Sequence, residues 1–393
     1  MRRIYLDHNA TTPIHPEVRK AVEPYLSEQF GNPSSIHWAG RDVRKGVEDA
    51  RQAIAAFFRC QPLEVVFASS GTESDNLAIK GVAYRKGNAG KHIVTSQVEH
   101  PAVINACRFL ENQGFRVTYA PVNRHGIVEP ESVRKALTRD TILVSIMYAN
   151  NETGAIMPIP EIGAIAREAG AIMHTDAVQA AGKLPIDFGT LPVDMLTFSG
   201  HKVNALKGAG GLIIRRGTEI EALIHGGHQE RGRRGGTENV VGIIAMGKSF
   251  ELLHAGMEKE VAETRRLRDQ FEKELFGRIP ALVLNGPPTE RLPNTVNISF
   301  RFVEGEAMLL NLDMMGIACS SGSACTSGSL EPSPILMAMG ADPTDAQGAL
   351  RFSLGLGNTD ADVEYAVSAI ESVVGKLRAL SPLYPSAKEA KAR

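Results

Sequence analysis

From about Leu63 to Arg215 the chain alternates short β-branched runs with stretches of helical periodicity, and no other feature constrains its fold as strongly. Val65–Ala68 is followed by a helix from Glu73, His92–Ser96 by the stretch Ala102–Asn112, and Ile142–Met147 by a helix near Ile159–Ala169 that leads into Ile172–Asp176. Such alternation predicts an α/β architecture, a mostly parallel sheet with helices on both faces. Open sheets of this class hold ligands beyond the carboxyl ends of their strands. Thr72, His100, Asn151, Asp176 and Lys202 all fall at or just after strand ends, so the topology gathers separate stretches of sequence at one crevice.

Four segments bring chemistry to that crevice. Gly200–His201–Lys202 closes the apolar run Met195–Ser199. A desolvated lysine loses its proton more easily and becomes a nucleophile able to form a Schiff base with an aldehyde cofactor. Asp176 ends a second buried run, where a carboxylate suits the ring nitrogen of pyridoxal 5′-phosphate; a helix N-cap is its plainer reading. Ser69–Asn76, rich in small residues and hydroxyls, opens a helix and suits an anion such as a cofactor phosphate, or is simply a capped helix. Ser320–Gly328 sets Cys325 among serine, glycine, alanine and threonine, which exposes a thiol type that is usually buried.

Composition narrows the field. The chain has 393 residues, enough for two domains with sizeable cores, and a net charge of −1, which gives no reason to expect nucleic acid as a partner. The long, charged, helical stretch from about Phe250 to Phe276 reads as a connector. It divides residues 16–255, a large cofactor-binding domain, from residues 256–393, a smaller α+β domain with strands at Ala281–Leu284, Thr295–Phe300 and Ala349–Leu354. The basic Met1–Arg2–Arg3 is followed by no apolar stretch, so no signal peptide is expected. The four cysteines show no CxxC and read as reduced thiols of a cytoplasmic protein, with Cys60, Cys107 and Cys319 as packing. No apolar run approaches the ~18 residues of a membrane span. The histidines show no close ligand spacing, so no metal site is expected.

Longer motifs carry a family resemblance. Tyr5–Thr12, Glu99–Val103, Asn150–Gly154, Gly226–Asn239, Ser320–Ser327 and Leu350–Gly355 occur in the order found in the cysteine desulfurases, and the chain resembles that family over nearly its whole length. The loop Ser-Ser-Gly-Ser-Ala-Cys-Thr-Ser places it with one group, and Gly226–Asn239 looks most like the nitrogen-fixation type. Leu206 departs from the pattern, standing where many relatives have proline.

The resemblance implies an aspartate-aminotransferase-like fold with pyridoxal 5′-phosphate, in which residues 1–15 pack as an arm near the small domain. It implies conversion of L-cysteine to L-alanine with a persulfide left on Cys325, for delivery to sulfur-acceptor or iron–sulfur scaffold proteins. Lys202 would hold the cofactor and move the Cα proton, Asp176 would face the ring nitrogen, and His100 would stack on the ring face opposite Lys202 and trade protons with the substrate thiol. Gln179 would bond the phenolic oxygen. Thr72, Ser199 and His201 would hold the phosphate with the amides of the Gly71–Glu73 turn. Thr237 would reach the phosphate from the partner subunit of a homodimer. Arg351, whose planar fork matches a carboxylate, would anchor the substrate, and Asn151 would add a hydrogen bond at that carboxylate or at the cofactor oxygen. A selenocysteine lyase or an aminotransferase of the same fold shares the Lys202 and Asp176 logic but does not need Cys325. An iron–sulfur scaffold needs clustered cysteines, and only Cys319 and Cys325 are close.

Overall fold

A computed structural model describes residues 2–321 and 331–384. Cys325 lies outside the described residues.

The alternating segment forms a seven-stranded sheet in the order Val65–Ala68, Gly210–Ile214, Met195–Ser199, Ile172–Asp176, Thr141–Ser145, His92–Ser96, Arg116–Ala120. Neighbours run parallel throughout except at Gly210–Ile214, which is antiparallel to both strands beside it. Both faces are covered. Val65, Phe67, Leu196 and Phe198 point into one core, while Val66, Met195 and Leu212 point into another. Side chains alternate faces along a strand, so a sheet buried on both sides needs apolar residues at consecutive positions. In the first core Phe198 packs edge-on to Phe250 at 5.5 Å and lies 5.4 Å from Phe58.

A second core serves a four-stranded antiparallel sheet in the order Ser320–Ser321, Ala349–Ser353, Thr295–Phe300, Leu282–Leu284. The helices Gly305–Met314 and Asp360–Leu380 cover it with Met308, Leu312, Val367 and Ile370. One helix, Val240–Arg278, serves both cores: Ile243, Met246 and Phe250 belong to the first, Leu267, Phe271 and Leu275 to the second. It starts at Val240, capped by Asn239, ten residues before the polar stretch that predicts it. By length and composition it is apolar enough to cross a membrane. The apolar part falls in its first half, where it is packed into the core.

The N-terminal arm lies along the second core. Ile4–Tyr5 pairs in parallel with Ile317–Ala318, Asp7 bridges to Ser353, and Leu6 is fully buried. This is where the strand ends of the large sheet face the small one.

Candidate active site

Helix starts and strand ends build a cavity of about 380 Å³ between the two sheets. The strand Val65–Ala68 leads into Ser70, which caps the helix Gly71–Lys86 by accepting from the Glu73 amide at 3.1 Å. At Gly71 a Cβ would come within 2.9 Å of Val178 Cγ2, so only glycine allows the helix start this close to the strand-end turn. The N-terminal amides of that helix therefore open onto the cavity, a favourable place for an anion. Thr72, Ser199 and His201 stand around it, and His201 Nδ1 lies 3.2 Å from Thr11 Oγ1.

Asp176 ends its strand buried in the cavity floor, where its Oδ1 accepts from the Val178 amide at 2.9 Å. No helix follows it: residues 178–183 form a turn, so the helix-cap reading fails and Asp176 lines the cavity as the carboxylate reading expects. Burial pushes its carboxyl above the usual carboxylate range, against the pull of His100, the Val178 amide and Lys202. A protonated ring nitrogen against it would reverse that shift. His100 caps the helix Pro101–Glu111 through Nδ1, which accepts from the Ala102 amide at 3.1 Å. Burial is the main cause that keeps its imidazole less basic than usual, and the charge on Lys202 adds to it. Lys202 Nζ donates to the Asn9 and Ala10 carbonyls at 2.5 and 2.7 Å. Gln179 Nε2 donates to the same Asn9 carbonyl at 2.9 Å.

Across the cavity, Arg351 reaches in from the small sheet. Its Nη1 donates to the Asn151 carbonyl at 3.1 Å and its Nη2 to Asp7 Oδ1 at 2.8 Å. The structure thus brings Gly71, Thr72, His100, Asn151, Asp176, Gln179, Ser199, His201, Lys202 and Arg351 to one cavity. Thr237 is not among its lining. It is exposed, on a hollow with Phe67, Ser69 and Arg234.

Three further residues shape the site. Asn9, on the arm, donates from Nδ2 to Thr295 Oγ1 at 2.8 Å and to the Asn151 carbonyl at 3.1 Å, which ties the two halves together. Asp75 is a second buried carboxyl in the cavity wall, pushed up by burial and by Asp176. Lys183 Nζ donates to Gln179 O at 3.0 Å and Oε1 at 3.2 Å; burial, then Lys202 and Arg351, lower its ammonium to about 7. In sequence Asp75 looks like an ordinary acid early in a helix, and Lys183 like a solvated lysine. Only the Tyr5–Thr12 motif flagged Asn9.

Among the described residues, Asn151 Oδ1, Ser199 Oγ and Arg351 Nε are buried in its wall with no hydrogen-bond partner. Buried polar atoms are normally satisfied, and each orphan costs about 1–3 kcal/mol. A ligand with an anion at one end, a ring donor at Asp176 and a carboxylate near Arg351 fits this donor set.

A lysine and an aspartate at strand ends, beside a helix-start anion site, define a pyridoxal-phosphate enzyme. The chain belongs to the class-V aminotransferase family, whose model matches residues 4–366, and pyridoxal 5′-phosphate is its cofactor. It is 51% identical over 381 residues to the cysteine desulfurase IscS of Dictyoglomus turgidum, covering 97% of both chains. A solved NifS-like protein superposes with a TM-score of 0.90 at 36% identity, over 95% of this chain and all of that one. SspA in complex with cysteine superposes with a TM-score of 0.80 at 34% identity, over 89% of this chain and 98% of the other.

Proposed function

We propose that this protein is a cysteine desulfurase that takes sulfur from L-cysteine, releases L-alanine and passes the sulfur to iron–sulfur scaffold or other acceptor proteins. Convergence of Lys202, Asp176, His100 and Arg351 on one cavity is the observation that carries this reading. When bound, the cofactor supplies an electron sink for charge developing at the substrate carbons. Gly71, Thr72, Ser199 and His201 hold its phosphate, Gln179 its phenolic oxygen, and Asp176 keeps the ring nitrogen protonated. Arg351 and Asn151 hold the substrate carboxylate.

Lys202 holds the cofactor and then moves the proton of substrate Cα. His100, kept neutral, takes the substrate thiol proton. The Cys325 thiolate attacks the substrate sulfur; an S–S bond forms, the C–S bond breaks with its electron pair going to carbon, and that carbon takes a proton. Enzyme thiol and cysteine become enzyme persulfide and alanine, with no external oxidant. Cys325 stands five positions after Ser320, which lines the cavity, and this short separation in sequence supports its role.

The protein works as a cytoplasmic homodimer, with Thr237 completing the partner's phosphate site. Its exposure, away from its own chain's cavity, supports that role. Incubation with L-cysteine and a thiol reductant tests the activity: alanine and sulfide should appear in equal amounts. Pyruvate in place of alanine would mean transamination or elimination and would overturn the proposal.

A further inference from the structure

We infer that Asp7 is a positioning residue for the substrate carboxylate, holding the Arg351 guanidinium so that its free edge faces the cavity. Arg351 lines the cavity and Asp7 does not, so the carboxylate grips the guanidinium from outside the site. The contact is monodentate, Asp7 Oδ1 to Nη2 at 2.8 Å, while the Asn151 carbonyl takes Nη1. An arginine and a carboxylate left to themselves favour a two-point fork. Here Asp7 takes one point only, and among the described residues Nε has no partner. The donors left over are those a second carboxylate would need.

Asp7 is itself rigidly placed. The arm is bonded to the strand that carries Arg351: Ser353 N donates to Leu6 O at 2.8 Å, and His8 N to Ser353 O at 3.1 Å. Tyr5 Oη also donates to the Asp7 carbonyl at 3.0 Å. Among the described residues Asp7 is the ion-pair partner of Arg351, and their side chains are 16% and 6% exposed. The backbone of the arm, paired at Ser353, thereby sets the angle of a side chain two residues back on the same strand.

The inference rests on Arg351 as the carboxylate anchor, and one experiment separates the two. The holoenzyme and its variants are titrated with L-alanine and with L-alaninamide, which lacks the carboxylate, and binding is read from the cofactor's visible spectrum. Asp7→Ala should weaken L-alanine binding and raise KM for L-cysteine about tenfold, the worth of one misdirected charge-assisted bond. Alaninamide binding should stay within twofold and kcat should change less than KM. Asp7→Asn, which keeps the acceptor oxygen, should restore L-alanine binding to near the parent value. Unchanged L-alanine binding in Asp7→Ala, equal loss of both ligands, or failure of Asp7→Asn to rescue would overturn the inference. If Asp7→Ala does not fold, Asp7→Glu replaces it: its longer arm should displace the fork and weaken L-alanine selectively, and parent-like binding there would overturn the inference. Arg351→Ala with unchanged L-alanine binding would instead refute the anchor reading.

Discussion

Ser333 donates to Glu152 Oε2 across 2.6 Å, joining the cap of the helix Pro334–Ala338 to the turn that follows the strand Thr141–Ser145. Glu152 is buried, and burial pushes its carboxyl up to about 7, against the pull of Ser333 and Arg351. An acid bound more tightly to its proton in the folded state loses stability as pH rises. That loss runs from its ordinary value of 4.5 up to about 7, and then levels off. Glu152→Gln keeps the shape and removes the titration. Relative to the parent, it should therefore gain stability between pH 5 and pH 8. Comparing denaturation midpoints of the two proteins at each pH cancels the contributions of Lys183 and of Glu99, whose carboxyl burial pushes up to about 8, since both titrate in both proteins. Parallel pH profiles would show that Glu152 is not the group responsible.

Lys202→Ala should abolish turnover and the visible absorbance of the bound cofactor. Acid–base work by a positioned side chain is worth roughly 10²–10⁴-fold, and loss of the covalent attachment adds to it. The spectrum after incubation with pyridoxal 5′-phosphate and gel filtration decides the matter, since a parent-like band would mean that another amine holds the cofactor. Lys183, hydrogen-bonded to Gln179, is the amine to test next.

Asp176→Asn should retain cofactor and fold but lose roughly 10²-fold or more in kcat, because an amide cannot keep the ring nitrogen protonated. The Val178 amide bond survives the change through the remaining side-chain oxygen. Near-parent turnover would reduce Asp176 to holding the turn that follows its strand.

Much of the large sheet was legible because its strands are short, β-branched and punctuated by helices. Val65–Ala68, His92–Ser96, Ile172–Asp176 and Met195–Ser199 have the predicted bounds. The strand predicted at Ile142–Met147 is assigned as Thr141–Ser145, although Ile146 N and Tyr148 N still donate to His174 O and Asp176 O as the chain continues toward the site. Direction was not legible: Gly210–Ile214 runs against its neighbours, and a fully buried strand reads the same either way. The connector helix begins at Val240 rather than near Phe250 because its first two turns are buried on most sides and lack a polar face.

Residues that act locally at strand ends, such as Asp176 and Lys202, could be found from position. Asp7, Asn9 and Lys183 act through contacts more than a hundred positions away or through a neighbour's side chain, and no periodicity reports those. Thr237 was assigned by resemblance, and its own chain does not bring it to the cavity.

The central claim is that sulfur passes from L-cysteine to Cys325, and mass spectrometry after brief mixing with L-cysteine tests it most directly. The peptide holding Cys325 should gain the mass of one sulfur atom, removable by reductant, with one alanine formed for each sulfur gained. Cys325→Ala should keep the cofactor's absorbance and form neither persulfide nor alanine. Sulfur found on Cys319, or alanine still produced by Cys325→Ala, would contradict the account.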